Sequence, residues 1–94
     1  MVFIVMVSKK IIIVNKLGLH ARAAAKFVTM ASVFESEVQL AKGDRVVNGK
    51  SIMGVMMLAA AKGTELELIA NGKDEGEALV MLSELIAKRF GEEE

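Results

Sequence analysis

The chain has 94 residues, with twelve Lys plus Arg against twelve Asp plus Glu, no cysteine and a single histidine. A chain of this length is expected to form one domain, residues 1–94, burying roughly 60–65% of the surface its unfolded form exposes. The balanced charge points to no nucleic acid and no anionic membrane surface. The missing cysteines exclude disulfides and thiolate metal ligands, and one histidine cannot build a histidine-based metal centre. The expectation is a cytoplasmic protein with neither metal nor cofactor.

Met1 to Val7 are apolar, but they precede Lys9 and Lys10 and carry no small-residue cleavage site, so they read badly as a secretory signal. The run also falls far short of the ~20 residues that span a bilayer. Residues 1–7 are set aside as a candidate N-terminal extension, within which Met6 is a natural start. Lys10 to Val14 is a β-branched run ended by Asn15 and Gly18, which marks a first strand. From Ala21 to Phe34 a helical stripe recurs at Ala24, Phe27, Val28, Ala31 and Phe34.

Glu37 to Leu40 alternates polar with apolar, Lys42-Gly43-Asp44 turns, and Arg45-Val46-Val47 resumes extended structure, the pattern of a hairpin. After the turn Asn48-Gly49-Lys50, Ser51 takes the N-cap position of a short apolar helix over 52–58. Thr64 to Ala70 alternates again, with Leu66 and Leu68 on one face and Glu65 and Glu67 on the other. Asn71-Gly72 turns the chain, Asp74 with Glu77 suggests a capping box, and the last helix presents Leu79, Leu82, Ile86 and Phe90 to a core. Residues 91–94 should fray as an acidic tail, because carboxylates oppose the dipole at a helix C-terminus. This order, βαββαβα, is packed most economically with helices on one face of a small antiparallel sheet.

His20 lies where the first strand gives way through Gly18 to the first helix. A side chain there faces backbone N–H groups that lack intrahelical partners and the positive end of the peptide dipole, a setting that suits a phosphoryl group. Histidine is not a favoured N-cap, and Gly18 permits a backbone that presents the ring. Arg22, two residues on, would balance a phosphoryl charge through paired hydrogen bonds, or else is a surface cation. Gly49-Lys50-Ser51 fails as a nucleotide-binding loop, since the required upstream glycine position holds Asp44. Ser51 reads as a structural cap at which a phosphate would also be accepted. The apolar residues of 52–58 are too continuous for one buried stripe, so either the helix is wholly buried or its methionines form an adaptable outward patch.

Gly18-Leu19-His20-Ala21-Arg22 together with Lys50-Ser51-Ile52-Met53-Gly54-Val55-Met56 closely resembles the HPr family, the histidine phosphocarriers of bacterial phosphoenolpyruvate-dependent phosphotransferase systems. The resemblance runs from about Ser8 to Phe90 and implies an α+β open-faced β-sandwich, a four-stranded antiparallel sheet with three helices on one face. It implies that His20 accepts a phosphoryl group on Nδ1 from enzyme I and passes it to an enzyme IIA component, assisted by Arg22. It further implies that Ser51 is the regulatory serine of an HPr kinase/phosphorylase and that Ile52, Met53 and Met56 form a partner-docking surface; a monomer is the expected assembly. The chain departs from the commonest motif at Ala23, where many members carry proline; alanine, a strong helix former, leaves the helix start intact. The motif also looks like proteobacterial forms, including the nitrogen-related branch, for which a regulatory module acting mainly by docking is the alternative. A small-molecule sensor ranks last, because nothing marks an enclosed pocket.

Overall fold

The computed structural model describes residues 6–94. Its elements are β1 (Val7–Ile12), α1 (Ala21–Ala31), β2 (Glu37–Lys42), β3 (Arg45–Asn48), α2 (Ile52–Met57), β4 (Glu65–Asn71) and α3 (Glu75–Ala87), followed by a 3-10 turn over Arg89–Gly91. The four strands form one antiparallel sheet in the order β1-β4-β2-β3. The period-two pattern sets the register: Ile11 lies opposite Leu66, and Leu68 lies opposite Leu40, so their side chains share the buried face. Lys10, Glu65 and Glu67 stand on the open face, where water solvates them.

The three helices cover the buried face. Phe27, Ala23, Ala24 and Ala31 of α1, Val55 of α2, and Ala78, Leu82 and Ile86 of α3 close one core over Ile11, Ile13, Val38, Leu40, Leu66 and Leu68. The small residues of α1 let its backbone approach the sheet, while Phe27 fills the centre. The four-stranded antiparallel α+β architecture thus follows the sequence pattern closely.

Several boundaries differ from the sequence reading, each for a physical reason. β1 starts at Val7, opposite Ala70, and ends at Ile12, because β4 offers it a full ladder and an edge strand tolerates the charges of Lys9 and Lys10. Val7 is thus a strand residue and Met6 precedes the strand, while residues 1–5 of the candidate extension lie outside the described residues. α1 stops at Ala31, where Ser32 Oγ donates to the Val28 carbonyl and tighter turns carry Phe34 into the core. The capping box at α3 does not form. The Asp74 carboxylate instead accepts from the Glu35 and Ser36 backbone N–H groups and from Ser36 Oγ, while Gly72 N–H donates to Glu75.

Candidate functional site

Asn15 is fully buried between β1 and α1, and its Nδ2 donates to the Gly18 carbonyl at 2.8 Å and to Glu92 Oε1 at 3.0 Å. Two acceptors facing one atom fix the orientation of the amide. Its Oδ1 has no donor among the described residues. Gly18 completes the turn with φ +67°, and a Cβ added there would lie 2.4 Å from the Ala60 carbonyl oxygen. Only glycine reconciles that backbone with so close an approach. The Leu19 N–H donates to the same carbonyl at 2.9 Å, which locks the chain entering α1.

These restraints deliver His20 to the N-cap of α1 in an extended conformation, with no hydrogen bond from its ring to the helix backbone. The ring is partly exposed, and its Nε2 meets Glu92 Oε2 at 2.5 Å. A carboxylate only accepts, so in the neutral imidazole the contact places the ring proton on Nε2 and the lone pair on Nδ1. The hydrogen bond from Asn15 holds the Glu92 carboxyl below the usual carboxylate range, with hydrogen bonding and charge from His20 and the charge of Lys26 acting the same way against partial burial. The site therefore retains a carboxylate behind the imidazole at neutral pH.

Glu92 reaches the ring because the chain reverses after α3. Arg89, Phe90 and Gly91 have φ of +59°, +55° and +81°, and Phe90 is buried in the core. Lys26 Nζ donates to the Phe90 carbonyl at 2.7 Å, and the Lys16 N–H donates to the Glu94 carbonyl. The acidic tail expected to fray is thus hydrogen-bonded to the start of α1. The donors of Asn15, Lys16 and His20 outweigh the repulsion its carboxylates meet at the end of α3.

Arg22 lines the same cleft as His20, Ala21 and Glu92, is exposed, and has no ion-pair partner among the described residues. Ser51 lies on another element, as the N-cap of α2, with its Oγ accepting from the Gly54 N–H at 3.1 Å. On α2 only Val55 is buried, whereas Ile52, Met53, Met56 and Met57 face outward. The sequence reading singled out His20 and Arg22, which line one cleft, and did not single out Asn15 or Glu92 as neighbours of that ring. Asn15 was legible only as a turn residue, and Glu92 lies 72 positions from His20 within an unpatterned acidic run. Among the described residues no helix is long and apolar enough to cross a membrane.

The family model described as the PTS HPr component phosphorylation site matches residues 7–88. A phosphocarrier protein HPr from Neisseria meningitidis serogroup A is 60% identical over 89 residues, covering 95% of this chain and 100% of that protein. Among solved structures, an HPr from Thermoanaerobacter tengcongensis superimposes with a TM-score of 0.90 at 48% identity, covering 94% of this chain and 99% of that one. Crh, a Bacillus subtilis catabolite repression protein described as a dimer with a swapping domain, matches at a TM-score of 0.73 and 51% identity, over 79% of this chain and 85% of its own.

Fold and matches together define a small carrier of phosphoryl groups, and the docking-only alternative is not favoured. The chain belongs to the HPr family, the phosphocarriers of the phosphotransferase system.

Proposed function

We propose that His20 is the phosphoryl acceptor and that Nδ1 is the nucleophile. The contact between Nε2 and the Glu92 carboxylate carries this reading, because in the neutral ring it leaves the Nδ1 lone pair available on the N-cap residue of α1. As the N–P bond in phosphorylated enzyme I breaks, the Nδ1–P bond forms. The ring keeps its proton on Nε2 and becomes a phosphorylated imidazolium, whose positive charge Glu92 balances. Arg22 and the helix N–H groups hold the phosphoryl oxygens during transfer. Onward transfer to a histidine of an enzyme IIA component breaks the Nδ1–P bond and restores the Nδ1 lone pair. A carrier works in both directions only if this stabilisation is moderate, since a tighter clamp would trap the group.

Ile52, Met53 and Met56 form the docking surface, supported by their outward placement on α2. Ser51 is the site of an HPr kinase/phosphorylase, and a dianion there weakens docking by desolvation and repulsion. The protein acts in the cytoplasm as a monomer; sedimentation at micromolar concentration tests the latter against the swapped arrangement described for Crh. The site itself is tested by mixing the protein with phosphoenolpyruvate, magnesium and a cognate enzyme I. The expected product is an acid-labile, base-stable phosphate that is absent from His20→Ala. Label retained in that variant would overturn the assignment.

A further inference from the structure

The side chains of α2 offer a chemistry that phosphoryl transfer does not use. Met53, Met56 and Met57 are 74%, 40% and 56% exposed. They stand three and four positions apart, so they share one face of the helix. The helix is held by other groups: Val55 anchors it in the core, Ser51 caps its start, and Arg45 Nη1 and Lys42 Nζ donate to the Met57 and Leu58 carbonyls at its end. None of these restraints involves a methionine sulfur. The thioethers can therefore change chemically while the backbone beneath them stays in place.

We propose that Met53, Met56 and Met57 form an oxidant-sensitive patch, modified by hydroperoxides, whose conversion to sulfoxide lowers the affinity of the carrier for its phosphoryl-transfer partners. A thioether sulfur lone pair attacks the distal peroxide oxygen and the O–O bond breaks. Sulfur is oxidised by two electrons as the S–O bond forms, and the peroxide is reduced to water or an alcohol. Each sulfoxide replaces an apolar, pliable contact with a strong dipole that an apolar partner surface leaves unsatisfied. Enzymatic reduction by methionine sulfoxide reductases restores the thioether, which makes the modification reversible. The proposal rests on the docking role of α2.

The test treats the full chain with hydrogen peroxide, locates sulfoxides by peptide mass spectrometry, and measures phosphoryl transfer from enzyme I before and after treatment. Oxidation at 53, 56 and 57 should raise KM about tenfold with kcat nearly unchanged and the circular dichroism melt retained. Sulfoxide reductases should reverse the effect. In Met53→Leu/Met56→Leu/Met57→Leu, which keeps Met6, Met30 and Met81 oxidisable, the ratio of KM after treatment to KM before should fall to about one, whatever its starting value. A persistent rise in that variant, an unchanged KM in the oxidised native chain, or resistance of these residues under conditions that oxidise free methionine would overturn the proposal. Met53→Glu without peroxide separates the two ideas. An unchanged KM there removes the docking reading and the proposal with it, whereas a raised KM beside an inert sulfoxide removes the proposal alone.

Discussion

Gly18 and Glu92 show how single residues orient the His20 ring. Gly18→Ala places a methyl into the Ala60 carbonyl and forces alanine to a positive φ, so it should destabilise the chain by more than about 2 kcal/mol and shift the His20 ring. Denaturant unfolding and the histidine resonances together check both effects. Glu92→Gln keeps the shape of the carboxylate but removes the charge that, in the proposed transfer, balances a phosphorylated His20 ring. Its kcat/KM for accepting the phosphoryl group should fall about five- to tenfold. The nitrogen-15 shifts of His20 should also report a smaller share of the tautomer with its proton on Nε2; an unchanged distribution and rate would show that Glu92 is a bystander.

Among the elements, α2 is too short to be stable alone and depends on its ends. Removing the Ser51 hydroxyl leaves the Gly54 N–H without its partner, so Ser51→Ala should cost about 1 kcal/mol, or about 4–8 °C in melting temperature for a domain of this size. Ser51→Asp supplies another capping oxygen and should melt close to the native protein, which separates the structural role of this serine from a regulatory one. The turn after α3 depends on burial instead. Arg89 and Phe90 hold left-handed conformations because Phe90 is sealed in the core and its carbonyl accepts from Lys26, and the energy of that packing sets the tail against α1.

For the molecule as a whole, the loop before β2 is clasped to the loop before α3 through Asp74. Hydrogen bonds from Ser36 Oγ and the Glu35 and Ser36 backbone lower its pKa from 3.8 to about 2. A folded-state pKa below the unfolded value means that this contribution to stability is complete above about pH 4 and is lost as pH falls through about 2. Thermal melts between pH 6 and pH 2 should therefore slope more steeply for the native chain than for Asp74→Asn; equal slopes would exclude the clasp as a source of acid sensitivity. Gly72 belongs to the same junction, since a Cβ there would lie 2.7 Å from Ser36. The clasp joins positions 38 residues apart and keeps the ends of α1 and α3 on the same side of the sheet.

Alternating side chains in Glu37 to Leu40 and Thr64 to Ala70, the stripe through Phe27 and the cap at Ser51 were enough to derive the element order and the antiparallel sheet, because each is a local preference written in neighbouring residues. The same holds for His20 at a helix start, whereas the sequence left open whether α2 is wholly buried or turns its methionines outward, and the burial of Val55 alone decides for the latter. Three features required the folded chain: Asp74 bonding across to Ser36 instead of capping α3, Phe90 turning the tail back, and Glu92 holding the imidazole. Each joins positions dozens of residues apart, and neither periodicity nor propensity encodes which distant donor a carboxylate will meet. The sequence determined the order of the elements and set His20 at a helix start; only tertiary structure decided which ring nitrogen meets the Glu92 carboxylate, because that depends on packing the last turn of the chain against the first helix.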